Sequence, residues 1–296
     1  MTKNFCMQRI NCFILIAVLV AFSPSSRFSK SLKEHPGLVS YTFRNEFAKD
    51  VPGTLDMIKS LGVTNMEMSS LFGKTPAELR KLLDERGMRC TSYGVGYDPL
   101  MNKTDQIIQD AKTLGAEFVR LGSFPRKAPF DLAQAQKISG EFNTVGKKLR
   151  EAGLTFVYHN HGFEFQPWKE NTNPGREAAP LTYFDYMLQN TNPDDVSYEM
   201  DILWVFHPGQ NPAELLQRYP KRFKLMHIKD LKKGVEGNLS GGTPPENDVT
   251  LGTGQIDIPA VLKAARKTSI KYFYIEDENP NARQQVPNSI AYLRSI

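Results

Sequence analysis

Cysteine is nearly absent from this 296-residue sequence: there are three, and Cys6 and Cys12 lie close to the amino end. Cys90 then stands alone, and one thiol makes no internal disulfide, so a folded domain here must be held by its core. Long hydrophobic runs are scarce as well. The stretch Cys12–Phe22 covers 11 residues, short of the roughly 20 that a permanent membrane helix needs. A surplus of one charge is also missing. Lys and Arg number 37 against 32 Asp and Glu, but Lys3, Arg9, Arg27 and Lys30 fall in the first 30 residues, which hold no acid. Taking these 4 from 37 leaves 33 cations against 32 anions. That balance excludes a protein that lives by contact with phosphate backbones, so no nucleic-acid partner is expected. With 40% apolar and 23% charged residues, the chain is not a disordered polymer either.

The amino end has the pattern of a secretory signal: Lys3 and Arg9, the apolar run, then Ser23-Pro24-Ser25-Ser26. Residues 1–30 are expected to be a signal peptide and short linker, cleaved between about residues 22 and 32. The mature protein is then periplasmic or extracellular, with no stable membrane insertion.

From Gly37 onward short apolar or β-branched runs alternate with segments of helical period, eight times. The strands are expected at Gly37–Phe43, Val63–Met68, Met88–Gly94, Glu117–Gly122, Leu154–Asn160, Val196–Ile202, Phe223–Lys229 and Tyr272–Asp277. Leu55, Ile58 and Leu61 share one helix face, Leu79, Leu82 and Leu83 a second, and Ile107, Ile108 and Ala111 a third. Thr75-Pro76 with Glu78 is a helix start. Gly62, Gly87, Gly115 and Gly153 sit where a left-handed cap needs no Cβ. The residues after the first strand, Arg44-Asn45-Glu46, are not the glycine-rich loop of an open dinucleotide-binding sheet. Residues 37–296 are therefore expected to form one α/β domain, a (β/α)8 TIM barrel. Its long loops, Phe163 to about Ala179 and Asp230 to about Gln255, fall at strand ends, where such a barrel builds its site.

Five histidines are present, and three of them, His159, His161 and His227, lie at strand ends. The adjoining strands end in Glu199-Met200-Asp201 and Ile275-Glu276-Asp277. Four consecutive strands thus deliver imidazole or carboxylate to one rim, a donor mixture that suits Mn, Zn, Fe or Co better than Ca. A lone acid at a strand end is more often a cap or surface group; strand phase strengthens the set Asp201, His227 and Glu276 by pointing all three inward. His207, in a turn with Pro208 and Gly209, reads as structural, and His35 precedes the barrel.

Six segments carry a resemblance: Ser40-Tyr41-Thr42-Phe43-Arg44, Tyr158-His159-Asn160-His161-Gly162-Phe163-Glu164-Phe165, Glu199-Met200-Asp201 with Trp204, Met226-His227-Ile228-Lys229-Asp230, Leu251-Gly252-Thr253-Gly254-Gln255-Ile256-Asp257, and Tyr274-Ile275-Glu276-Asp277. Together they resemble the xylose isomerase-like barrel superfamily, in its exported sugar phosphate isomerase/epimerase branch. The resemblance implies one divalent metal ion, manganese first with zinc, cobalt or iron as alternatives, and often a homo-oligomer. Three ligands carry over to Asp201, His227 and Glu276. Where the sugar epimerases place a glutamate on the fifth strand this chain has His159, so the fourth ligand is either His159 or Glu164. Catalytic roles fall to Glu276, His159 and Glu164. Substrate contacts are expected from His161, Trp204, Lys229, Asp230, Glu67 and Trp168, and Arg44 and Arg120 are the anion clamps near strand ends.

The leading expectation is a metal-dependent isomerase or epimerase of an unphosphorylated sugar or keto-sugar, working through an enediolate. A histidine in place of one glutamate puts a symmetric two-carboxylate epimerisation in doubt. A lyase that eliminates the aglycone from a 3-keto-glycoside is the alternative, and a non-catalytic sugar-binding barrel is a third.

Overall fold

A computed structural model describes residues 36–169 and 180–296, together with Met1. The expected leader beyond Met1, His35 and residues 170–179 of the loop after the fifth strand lie outside the described residues. Eight parallel strands close into a barrel. They are β1 (Gly37–Val39), β2 (Asn65–Met68), β3 (Arg89–Val95), β4 (Phe118–Leu121), β5 (Thr155–His159), β8 (Val196–Asp201), β9 (Phe223–Ile228) and β10 (Tyr272–Ile275). Neighbours follow chain order and β10 pairs with β1. Helices between consecutive strands make the outer layer, so the expected (β/α)8 TIM barrel is the observed fold.

Local chemistry accounts for the element ends. Thr75 caps the helix Pro76–Asp84 in a reciprocal box with Glu78, the backbone N–H of Thr75 donating to Glu78 Oε2 at 2.7 Å. Gly62, Gly87, Gly115 and Gly153 all have positive φ, between 59° and 82°, as their place after a helix requires. Two differences from expectation have clear causes. The first strand ends at Val39 and not Phe43, because Ser40 Oγ turns inward to bond Ser69 Oγ at 2.9 Å and the chain winds into a 3-10 turn, Ser40–Phe43. The loop after β5 carries strand pairing of its own: β6 (Pro167–Lys169) pairs antiparallel with β7 (Leu181–Thr182).

Two apolar regions hold the barrel. The larger lies between strands and helices and takes in Leu55, Ile58, Leu79, Leu83, Ile107 and Ala111, while Leu61, Leu82 and Ile108 are partly buried at its margin. The smaller is a separate cluster of Val39, Phe118, Val157, Leu225, Tyr272 and Tyr274, drawn from five strands and plugging the barrel interior. Side chains alternate along a strand. The inward rows therefore run from this plug up to charge: Leu225, His227, Lys229 on β9 and its extension, and Tyr272, Tyr274, Glu276 on β10 and its extension.

Cys90 belongs to the larger core, 1% exposed, and burial pushes its thiol up to about 12. Native Cys90 should therefore resist alkylation by iodoacetamide at pH 8 and react readily once the chain is denatured, which peptide mass mapping reads directly. Equal labelling in both states would contradict the packing described.

Candidate metal centre and substrate cleft

The ends of β5, β8, β9 and β10 bring His159, Asp201, His227 and Glu276 together, with one donor atom from each lying within 4.8 Å of the others. All four are buried. His159 Nε2 is 3.8 Å from Asp201 Oδ2, and His227 Nδ1 is 3.0 Å from Glu276 Oε2. Asp201 Oδ1 accepts the backbone N–H groups of Leu203 and Trp204, starting the next helix, while its Oδ2 has no hydrogen-bond partner among the described residues. A carboxylate oxygen orphaned beside two imidazoles and a second carboxylate is the donor set of a divalent transition-metal site. The residues therefore fit such a cation.

A lower layer holds the imidazoles. His159 Nδ1 lies 3.0 Å from Glu199 Oε2, and His227 Nε2 lies 2.9 Å from Glu67 Oε1. Each ring thus has a carboxyl group behind it, the arrangement that sets the orientation of metal-ligating histidines. Ser92 Oγ donates to Glu67 Oε2 at 2.6 Å, and Arg120 Nε lies 2.7 Å from Glu67 Oε1. Burial alone would raise the Glu67 carboxyl, but Arg120 and His227 outweigh it and hold it at about 2. Glu199 goes the other way: burial, reinforced by the neighbouring Glu67 charge, pushes it well above the usual carboxylate range. Burial also holds the His159 imidazole neutral.

Lys229 is fully buried among four carboxylates: Glu278 at 2.8 Å, Glu276 at 3.3 Å, Asp248 at 3.4 Å and Asp201 at 4.0 Å. Burial would lower its ammonium, yet these acids keep it charged. In turn Lys229 and His227 overcome the effect of burial on Glu276 and hold it well below the usual range.

Above the cluster opens a cavity of about 500 Å³ lined by Tyr41, Ser69, Arg120, His159, His161, Trp204, Glu276 and Glu278, with glycines 94, 96, 122, 241 and 242 in its wall. His161 Nδ1 is buried with no hydrogen-bond partner among the described residues, and Trp204 lies 6.2 Å from its ring. One wall comes from the excursion after β9. Asp230 ties its return, accepting the N–H groups of Leu231, Gly252, Gly254 and Ile256, and a bridge between Leu231 and Asp248 closes its base.

Several expected site residues are placed elsewhere. Glu164 is outside the four-residue cluster. It takes the Tyr158 hydroxyl and the N–H groups of His161 and Gly162, because Gly162 at φ 111° turns the loop back on itself. Glu67 is beneath the cluster with no exposure, so it supports His227 and does not reach the cavity. Asp230 is a loop tie, and Trp168 packs edge-on against Tyr186 away from the cleft. Arg44 donates to Tyr41 O at its own turn, and His207 is buried with Nδ1 at 3.2 Å from Asn238 O. Sequence reasoning missed Glu199 and Glu278, although both sit two residues from a candidate ligand in the inward phase; Asp248 carried no such signal.

Two substitutions separate these roles. Asp230→Ala should cost about 2 to 4 kcal/mol, since four amides lose a buried charged acceptor. Glu164→Ala should cost about 1 to 3 kcal/mol for the same reason on a smaller scale. Both are read by chemical denaturation. A change below about 0.5 kcal/mol at Asp230 would show that the return loop does not depend on it.

An inosose dehydratase of Geobacillus kaustophilus is 25% identical over 219 residues, 63% of this chain and 67% of that protein. Other inosose dehydratases are matched over about a third of their own length. A sugar phosphate isomerase/epimerase from Parabacteroides distasonis superposes with a TM-score of 0.70 at 26% identity, over 89% of this chain and 96% of that one. The IOLI protein, solved with a zinc atom bound, shares the fold at a TM-score of 0.66 and 14% identity, over 88% of this chain and 95% of its own. Among the described residues, no helix is long and apolar enough to cross a membrane. The profile of the xylose isomerase-like TIM barrel family matches residues 55–296, so a barrel assembled from these strand ends is also a member of that family by sequence.

Proposed function

We propose that this chain is a divalent-metal-dependent enzyme that removes a proton next to the carbonyl of an unphosphorylated keto-sugar or keto-cyclitol and then eliminates a β-oxygen substituent. The observation that carries this reading is the asymmetry of the cluster. The β5 position holds an imidazole backed by Glu199, so the two carboxylates of the cluster, Asp201 and Glu276, are not a matched pair across the cleft. Asp201 has one oxygen committed to the next helix. Glu276 is the one that lines the cavity. One base on one side suits an elimination, whereas a symmetric epimerisation calls for two.

His159, Asp201, His227 and Glu276 would hold the metal. A divalent cation in that place supplies Lewis acidity to a carbonyl oxygen and makes the neighbouring carbon acid stronger. Glu276, kept ionised by Lys229 and His227, accepts the proton from that carbon. The electron pair left behind forms the enediolate, and its return expels the substituent one carbon further on. The proton that Glu276 took passes to the departing oxygen, which restores the carboxylate, and His161 lines the same cavity. Similarity to dehydratases supports elimination, and similarity to a sugar phosphate isomerase/epimerase supports a second reading, in which the enediolate is reprotonated. Manganese is the metal proposed first. Export is proposed on the basic and apolar amino end alone.

The test is NMR of the products formed by the manganese-loaded protein in D2O with a 3-keto-glucoside and, separately, with an inosose, the metal being removed by chelation before the spectra are taken. Free aglycone or an unsaturated keto product is expected, slowed about 10² to 10⁴-fold by Glu276→Gln. Deuterium at one ring carbon with no elimination would replace the lyase reading by the isomerase one. No exchange at all would contradict both.

A further inference from the structure

Arg120 is the cation of the cleft that the proposed chemistry leaves unused. It stands on β4 in the inward phase, its side chain is 11% exposed, and it lines the cavity beside His159. Its Nε lies 2.7 Å from Glu67 Oε1 and 3.6 Å from Glu199 Oε2, close ion pairs without hydrogen-bond geometry. Nη1 and Nη2 make no hydrogen bond to any of the described residues. Two glycines accommodate them. A Cβ on Gly122 would sit 2.5 Å from Nη1, and one on Gly94 would sit 2.8 Å from Nη2. Neither glycine has a positive φ, so backbone conformation does not demand them. What demands them is the guanidinium, which needs both walls of its slot bare.

A fork of two unpartnered N–H groups at the floor of a cavity is built to hold two oxygens side by side. Charge decides which oxygens. The guanidinium already has the Glu67 carboxyl group at its rear, 2.7 Å from Nε, and the facing wall of the cavity carries Glu276 and Glu278. A carboxylate or phosphate entering here would meet those acids: Lys229 is shared among four carboxylates, and a divalent ion held at the cluster would bring the positive charge there to three against their four. Two adjacent neutral oxygens on a ring avoid that repulsion. We propose that Arg120, seated between Gly94 and Gly122, is a substrate-binding residue that grips a carbonyl and a neighbouring hydroxyl of a neutral ring and excludes anionic sugars. This deepens the keto-sugar reading and rests on it for the identity of the carbonyl.

The experiment is calorimetric binding to the metal-loaded protein with a panel of an inosose, a neutral ketohexose, a hexuronate and a hexose phosphate. Two variants accompany the wild type: Arg120→Gln, and Gly122→Ala, which keeps the charge and the Glu67 contact but crowds the slot. A neutral member should bind at least tenfold tighter than either anion. Arg120→Gln and Gly122→Ala should each weaken it tenfold or more, with metal content and melting temperature of Gly122→Ala unchanged. Tighter binding of an anion, or neutral binding that survives both substitutions, overturns the role of Arg120 and leaves the keto-sugar reading standing. Failure of both neutral probes to bind the wild type removes both together.

Discussion

A carboxylate taken out of water must find a cation, and the upper half of this barrel is organised around that demand. Glu67, Glu199, Asp201, Asp248 and Glu276 are all 9% exposed or less, and fixed cations in contact with them are few. Arg120 answers Glu67, and Lys229 is divided among four acids. Glu199 responds by holding its proton, and Asp201 is left with an oxygen that accepts no hydrogen bond from the described residues. Leaving such groups buried and unpaired costs several kcal/mol each. A divalent ion among Asp201, Glu276 and the two imidazoles would relieve that cost, and the same ion would acidify the substrate. Stability and chemistry therefore draw on one arrangement.

The barrel makes the arrangement possible through alternation. Successive inward residues on one strand are two apart, so apolar plug, imidazole layer and acid layer are stacked along β9 and β10 without any special turn. Loops then finish the cleft. Asp230 gathers four amides so that the long return after β9 ends as a wall, and Gly162 lets the β5 loop fold onto Glu164 instead of the cluster. The carboxylate that ties a loop and the carboxylate that faces substrate are chemically alike; only their hydrogen-bond partners tell them apart.

That distinction explains what could be read from the sequence. Eight strands, the helix caps and the inward set Asp201, His227 and Glu276 follow from periodicity, which local propensity and sheet pleating impose directly. Lys229 and Glu278 extend the same phase. Glu164 was not legible as a loop tie, because its direction depends on a φ of 111° at Gly162 that the residue type permits but does not dictate. Glu67 stands at a strand end, where substrate contacts are expected, yet it stops one layer short, where His227 and Arg120 close over it. Asp248 arrives from the far side of an excursion and no spacing rule points to it. Strand ends are legible; the depth of a side chain and the path of a long loop are not.

The central claim, that the four converging side chains form a metal centre, is tested most directly by the metal content of the purified protein by mass spectrometry. Wild type is set beside His159→Ala, Glu164→Ala and His227→Ala. The account predicts about one divalent ion per chain, retained in Glu164→Ala and lost in both histidine variants. A wild type that takes up no divalent ion, or an ion that leaves with Glu164 and stays without His159, would contradict it.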